Sequence, residues 1–139
     1  METVKVLIAE DKAEIRRALR AFLTRHPNVV VVGETNVDAD AVITAGEVRP
    51  DVVLMDMGVP GWLSLVTARM IKEKAPAAKI FLSTIHDDTV YSEKANSAWI
   101  DGVISKLDLM AGLRSMLTAV SPEATTRQFG GGMNSQYPL

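Results

Sequence analysis

Chemically active side chains follow the short apolar runs of this sequence, each at the point where a run ends. The first run is followed by two acids, the third by one acid, the fourth by two hydroxyls and the fifth by an ammonium group: Glu10 and Asp11, Asp56, Ser83 and Thr84, and Lys106. If the runs are parallel strands of one sheet, these groups meet at its carboxyl edge. The expected site therefore combines three carboxylates, a hydroxyl and an ammonium group.

Repulsion among the carboxylates of Glu10, Asp11 and Asp56 determines what such a site can do. Clustered carboxylates raise one another's pKa unless a cation compensates their charge. Mg²⁺ suits the set because it takes oxygen ligands in octahedral geometry and keeps several waters. A phosphoryl group would then be attracted by Mg²⁺, by the ammonium of Lys106 and by the hydroxyl of Thr84. Asp56 is the candidate nucleophile, because aspartyl carboxylates accept phosphoryl groups when neighbouring charges position them.

Five apolar runs alternate with five longer segments that carry apolar residues at helical spacing. The predicted strands β1 to β5 cover residues 4–9, 29–32, 52–55, 80–82 and 102–105, and the predicted helices α1 to α5 cover residues 15–23, 38–48, 63–75, 87–98 and 109–120. Unbroken apolar strands indicate a parallel sheet with helices on both faces. The predicted fold class is α/β, doubly wound, with a five-stranded parallel sheet. Periodicity does not determine the strand order; 2-1-3-4-5 is one standard solution, with a site at the ends of β1 and β3.

Composition excludes several classes of function. The chain has 139 residues, of which 47% are hydrophobic and 23% charged, as in a single globular domain. It contains no cysteine, which excludes disulfides, thiolate catalysis and cysteine-based zinc sites. The net charge of −2 gives no reason to expect direct binding of nucleic acid. No apolar run approaches the roughly 18 residues that cross a bilayer, and the first residues do not read as a signal peptide. We therefore expect a cytoplasmic protein that binds neither nucleic acid nor membrane.

The residues at these strand ends resemble the receiver domain of two-component response regulators. The resemblance covers roughly residues 3–120 and rests on Glu10-Asp11 after β1, Asp56 in VVLMDMGVPG, Thr84 in KIFLSTIHDD and Lys106 in GVISK. The segments RPDVVLMD and LSTIHDD are most similar to those of receivers in the NarL/FixJ group. Most members of that group carry a helix-turn-helix DNA-binding domain downstream. The resemblance implies a flavodoxin/CheY-like three-layer sandwich with the strand order 2-1-3-4-5.

The resemblance implies that Asp56 is the phosphoacceptor and takes its phosphoryl group from the phosphohistidine of a sensor histidine kinase. Asp11 and Asp56 would bind Mg²⁺ directly, Glu10 would act more through water, and the backbone carbonyl of Gly58 would be another ligand. The protein would then be no enzyme in the usual sense, but a phosphoacceptor that assists its own phosphotransfer and dephosphorylation. Asp11 with Glu14 also fits a capping box at the start of α1, and both roles can coexist.

A two-state switch is also implied, in which phosphorylation favours the active state. Lys106 would bind a phosphoryl oxygen, and Thr84 would hydrogen-bond the phosphoryl group and carry the signal into the face made by α4, β5 and α5. Receivers often form homodimers through that α4-β5-α5 face. The switch position that is often Tyr or Phe in receivers is Val103 here. With no aromatic ring at this position, we expect backbone movement to transmit the change.

Three further positions depart from the family pattern. Ile85 follows the switch threonine, where receivers usually have a small residue, and we expect it to crowd the pocket and slow phosphotransfer. Leu107 follows the lysine in place of a cis proline, so this bond is either trans or strained. Trp62 and Leu63 stand in the loop after β3 and add apolar surface that predicts a contact patch.

Other functions fit parts of the pattern. A haloacid-dehalogenase-type phosphatase would need an acid two residues after Asp56, where the chain has Gly58. A flavodoxin-like cofactor binder would need a Ser/Thr/Gly loop after β1, where the chain has two acids that repel phosphate. The remaining alternative is a receiver-like adaptor that acts by constitutive protein contacts without phosphorylation. Val103 and Ile85 favour this adaptor, and the intact set of acids, threonine and lysine disfavours it.

Length divides the chain into a receiver domain over residues 1–120 and a flexible C-terminal tail or linker over residues 121–139. The tail contains Pro122, a run of three glycines at 130–132 and Pro138, which are typical of a linker. A helix-turn-helix module does not fit in this tail. We therefore expect either a stand-alone receiver or the receiver of a longer regulator.

Overall fold

The computed structural model describes residues 3–57, 61–85 and 99–120. The strands in these ranges are β1 Val4–Ala9, β2 Val29–Thr35, β3 Val52–Asp56, β4 Lys79–Thr84 and β5 Gly102–Ser105. The helices are α1 Ala13–Leu23, α2 Ala39–Val48, α3 Gly61–Lys74 and α5 Leu109–Val120, with a 3-10 turn at Lys106–Asp108 before α5. The segment predicted as α4 and the predicted tail lie outside the described residues. Among the helices of the described ranges, none has the length and apolar character that crossing a membrane requires.

The strands form one sheet in the order β2-β1-β3-β4-β5, and every neighbouring pair is parallel. This confirms the predicted fold and strand order. The chain begins in the middle of the sheet, builds β2 on one side of β1 and then β3, β4 and β5 on the other. The carboxyl ends of β1 and β3 therefore lie at the switch point of the topology, where such sheets open a crevice for ligands.

Both faces of the sheet are buried, and the side chains of β1 show how. Val6 and Ile8 pack into one apolar cluster with residues of α1 and α5. Leu7 and Ala9 pack into a second cluster with residues of α2 and α3. Successive side chains of a strand point to opposite faces, so a strand that is covered on both sides is apolar at every position. This explains the unbroken apolar runs in the sequence.

Strands β2 and β4 continue for two residues or more beyond their apolar runs. The predicted β2 stops before Gly33, but the strand continues through it to Thr35. The register shifts between Val6 and Leu7, which pair with Val31 and Gly33. A Cβ on Gly33 would lie 3.1 Å from Leu7 Cδ1, so this glycine allows close packing and does not end the strand. Strand β4 likewise continues to Thr84, so the two hydroxyls after its apolar run belong to the strand.

The start of β5 is anchored by Asp101, immediately before the strand. Its Oδ2 accepts hydrogen bonds from the backbone N–H of Ile80 at 2.8 Å and from the Lys72 ammonium at 2.9 Å. The same ammonium donates to the carbonyl of Ala78 at 2.6 Å. One carboxylate therefore connects the end of α3, the beginning of β4 and the beginning of β5.

We expect Asp101→Ala to lower the free energy of unfolding by about 1–3 kcal/mol, because it leaves the Ile80 N–H and the Lys72 ammonium without their carboxylate. Urea denaturation at neutral pH measures the change. Glu73→Ala is the matched control, since Glu73 pairs with the exposed Arg69 on α3 and should change stability by less than about 0.5 kcal/mol. Equal effects of the two substitutions would contradict the anchoring role of Asp101.

Candidate functional site

The site is organised around the ammonium of Lys106, at the first residue after β5. Its Nζ donates to Asp56 Oδ1 at 2.5 Å and to Glu10 Oε1 at 3.3 Å. The side chains of Lys106 and Glu10 are 11% and 1% exposed. One partly buried cation therefore pairs with two carboxylates, and its removal would leave the buried Glu10 carboxylate without a charge partner.

The alternation of the strands brings these three side chains together. Each stands two positions after an apolar residue of the cluster that α1 and α5 cover, in the pairs Ile8 and Glu10, Leu54 and Asp56, and Ile104 and Lys106. Because side chains two residues apart share a face, the charged groups continue the apolar rows at their carboxyl ends. The sequence prediction that these residues meet at one edge is confirmed by their ion pairs.

The Glu10 carboxylate is held at both of its oxygens. Oε1 faces Lys106, and Oε2 accepts a hydrogen bond from the backbone N–H of Lys12 at 3.1 Å. The Arg16 guanidinium donates to the backbone carbonyl of Glu10 at 2.9 Å and also lies 3.8 Å from a Glu34 oxygen. Sequence reasoning missed Arg16, whose position in α1 places it off the apolar face and gives no sign of a contact with Glu10.

The surroundings of Lys106 act on its pKa in opposite directions. Burial alone lowers the pKa of the ammonium. The hydrogen bond and the charge of Asp56, followed by the charge and the hydrogen bond of Glu10, act against burial and leave the pKa of Lys106 raised above its usual 10.5. The ammonium is therefore fully charged at neutral pH.

Asp11, the residue after Glu10, is held by a backbone contact of its own. Its Oδ1 accepts a hydrogen bond from the backbone N–H of Val37 at 2.8 Å, which ties the end of β1 to the segment before α2. Helix α1 begins at Ala13 with Lys12 as its N-cap, without a capping hydrogen bond from a side chain. The alternative interpretation of Asp11 and Glu14 as a capping box is therefore wrong.

The donor atoms available for Mg²⁺ are the carboxylate oxygens of Asp11 and Asp56. Such hard oxygen ligands suit Mg²⁺, which needs only one or two carboxylates beside waters and phosphate oxygens. In the described ranges no three acidic or histidine side chains are grouped closely enough to hold a metal by themselves. The residues thus fit a Mg²⁺ ion that shares its coordination with water and a phosphoryl group. Gly58, the predicted carbonyl ligand, lies outside the described residues.

Four further residues lie on the last two strands of the sheet or directly after them: Thr84, Ile85, Val103 and Leu107. Thr84 is buried at the end of β4 and pairs in register with Ser105. Val103 and Ile85 are exposed, and since Ile85 is 62% exposed it does not fill buried space beside the site. The N–H of Leu107 is hydrogen-bonded to Ser105 Oγ at 3.1 Å, a bond that proline could not make.

The predicted contact patch on α3 has exposed apolar side chains. Trp62 and Leu63 are both exposed in the first turn of the helix. Val66 and Met70 are exposed further along the same helix. The patch remains a prediction, because the structure contains no partner that covers it.

A doubly wound parallel sheet with acids after β1, an aspartate at the end of β3 and a paired lysine after β5 defines a receiver-type signalling domain. The family described as "Response regulator receiver domain" matches residues 6–118, and the chain belongs to this family. It is 29% identical to the response regulator GacA of Pseudomonas aeruginosa over 84% of this chain and 53% of that protein. It is 33% identical to the response regulator UvrY of Escherichia coli over 74% of this chain and 47% of that protein.

Solved structures agree with this assignment. The REC domain of AraT, a response regulator from Geobacillus stearothermophilus, is similar with a TM-score of 0.75 and 28% identity, over 91% of this chain and 98% of that one. The chain spans about half the length of the curated relatives it matches. The comparisons therefore relate this chain to the receiver domain of these regulators and not to their full length.

We expect Lys106→Met to lower the free energy of unfolding at pH 7 by roughly 3 kcal/mol, because the buried Glu10 loses its cation. The pKa of Lys106 is raised in the folded protein, so its contribution is fully present below the unfolded value near 10.5 and is lost as the pH rises through the folded value. Urea denaturation of both proteins from about pH 7 to about pH 11.5 measures the difference in their free energies of unfolding. This difference should be constant at neutral pH and should shrink at the alkaline end. A difference that is the same at every pH would contradict the ion pair.

Proposed function

We propose that this chain is a phosphorylation-dependent signalling receiver that accepts a phosphoryl group on Asp56 from the phosphohistidine of a sensor histidine kinase, with Mg²⁺ as cofactor. The observation that carries the proposal is the contact of Lys106 with both Asp56 and Glu10 at the switch point of the sheet. Receiver chemistry needs a nucleophilic carboxylate with a cation beside it, and both are present here.

In the transfer step, an Asp56 carboxylate oxygen forms a bond to phosphorus while the bond from phosphorus to the kinase imidazole nitrogen breaks. The imidazole leaves with the electron pair of the broken bond and returns to its neutral form after taking up a proton. Lys106 must release Asp56 Oδ1 and turn to a phosphoryl oxygen, where its positive charge stabilises the transferred group. Mg²⁺, bound by Asp11 and Asp56, with Glu10 acting through water and the Gly58 carbonyl as a further ligand, would neutralise charge on the phosphoryl oxygens.

The switch follows from the residues next to the site. Thr84, buried at the end of β4, would hydrogen-bond the phosphoryl group and pull on the strand that borders β5. Val103 in β5, Leu107 in the following turn and Met110 in α5 expose apolar surface on that side of the sheet. We infer that phosphorylation changes this α4-β5-α5 face and that a second copy of the chain binds there. In keeping with the resemblance, we infer that the protein acts in the cytoplasm.

Asp56→Asn should abolish the Mg²⁺-dependent uptake of phosphate from acetyl phosphate, because the amide is not a nucleophile for phosphoryl transfer. Phosphate-affinity electrophoresis measures the uptake. Asp51→Asn is the matched control: Asp51 lies before the other end of β3, where its carboxylate accepts a hydrogen bond from the Lys5 N–H, and its substitution should leave the uptake unchanged.

Labelling that survives in Asp56→Asn would place the phosphoryl group on another residue. A wild-type protein that takes up no phosphate and binds neither Mg²⁺ nor beryllofluoride would instead support the adaptor that acts without phosphorylation.

Val103→Asp should weaken dimerisation of the beryllofluoride-loaded protein by about tenfold or more, because it places a charge in an apolar contact. Sedimentation velocity over a range of protein concentrations measures the monomer–dimer equilibrium. Ile43→Asp, an equally drastic change at an exposed position of α2, should leave dimerisation unaffected. If the Ile43 variant lost the dimer and the Val103 variant kept it, the interface would lie on the other side of the sheet.

A further inference from the structure

Ser83 carries a buried hydroxyl that the proposed mechanism does not use. The residue is 1% exposed, and its Oγ has no hydrogen-bond partner among the residues that the structure describes. Buried hydroxyls are almost always hydrogen-bonded in folded proteins, because water is lost without compensation otherwise. An orphaned hydroxyl beside a functional site therefore suggests a partner in another state of that site.

The register of the sheet places this hydroxyl beside the phosphoacceptor. Ser83 in β4 pairs with Asp56 in β3 on one side and with Ile104 in β5 on the other. Paired residues of parallel strands present their side chains on the same face of the sheet. Ile104 belongs to the cluster under α1 and α5, so Ser83 and Asp56 face the same layer.

The side chain of Lys106 has to pass this position. Lys106 follows β5, and its ammonium reaches Asp56 in β3, with β4 between the two strands. The path therefore crosses β4 on the face that α1 and α5 cover. On that face, Ser83 is the β4 residue at the level of Asp56. The hydroxyl of Ser83 thus lies on the face of β4 that the lysine crosses.

An ammonium has three N–H donors, and two of those of Lys106 are used by Asp56 and Glu10. When a phosphoryl group occupies Asp56, the ammonium turns from the carboxylate towards the phosphoryl oxygens. With its side chain 11% exposed, Lys106 has little access to water that could stabilise the new position. A nearby hydroxyl oxygen is a suitable acceptor.

We propose that Ser83 is a positioning residue for phosphoryl acceptance, whose hydroxyl accepts a hydrogen bond from the Lys106 ammonium when the ammonium turns from Asp56 to a phosphoryl group. This inference rests on the proposed function. It assigns Ser83 two opposite effects: an unpaired hydroxyl that destabilises the resting protein, and a paired hydroxyl that stabilises the phosphoryl-bound form.

The test is beryllofluoride binding in the presence of Mg²⁺, measured by isothermal titration calorimetry, together with the Tm of each unloaded protein. Ser83→Ala should bind beryllofluoride about five- to tenfold more weakly, since a hydrogen bond to a charged group is lost, and its unloaded Tm should be equal to or higher than that of the wild type. Ser83→Thr keeps the hydroxyl and should bind within about twofold of the wild type. Ser83→Cys keeps the size but offers only a weak acceptor, so it should bind as weakly as the alanine variant.

Thr67→Val is the matched control, because Thr67 carries a buried hydroxyl that already donates to the Leu63 carbonyl and lies on α3, away from Lys106. It should bind beryllofluoride like the wild type. Wild-type binding by both Ser83→Ala and Ser83→Cys would overturn the role of Ser83 and leave the proposed function intact. A wild-type protein that binds no beryllofluoride would overturn both.

Discussion

The ion pair of Lys106 with Glu10 and Asp56 is the interaction on which the site depends. Burying a carboxylate as completely as that of Glu10 is costly unless a cation pairs with it. The cation comes from the residue after β5, and the two acids come from the ends of β1 and β3. The strand order allows these contacts, because the ends of β1, β3 and β5 lie at the same edge of the sheet and only β4 separates β5 from β3. The ion pair therefore depends on the strand order of the sheet.

The same ion pair sets the conditions for switching. Lys106 stabilises the resting protein by occupying the carboxylate that the proposed reaction needs, so a phosphoryl group and the Asp56 carboxylate compete for one ammonium. The raised pKa of Lys106 keeps that ammonium charged throughout the physiological range. In the proposed function, the change of state would therefore be driven by the phosphoryl group and not by titration of the lysine. The proposed function needs a resting ion pair of limited stability, because a phosphoryl group must be able to replace Asp56 as the partner of Lys106.

Strand β5 connects the Lys106 ion pair to the surface of the domain. Its beginning is held by Asp101, which binds the Ile80 N–H and the Lys72 ammonium, and its end is held by Lys106. Between these anchors the strand has only four residues at the edge of the sheet, and it exposes Val103. The Asp101 anchor does not involve the site, so a change in the partners of Lys106 acts on one end of β5 only.

Local sequence patterns were sufficient to predict the fold class and which residues meet at the edge of the sheet. Apolar runs at strand length and helical periodicities are local patterns, and the polar residues that end the runs can be read directly from positions such as Glu10, Asp56 and Lys106. Tertiary structure decided which atoms meet. Asp11 accepts a hydrogen bond from the N–H of Val37, 26 residues away in the chain, and does not form the predicted capping box. This contact depends on the segments after β1 and before α2 lying side by side, which is a tertiary feature. Gly33 continues β2 because Leu7 of the neighbouring strand packs against it. Ser83 faces Asp56 because the register of β3 and β4 aligns them, and a register between strands so far apart in the chain leaves no local signal.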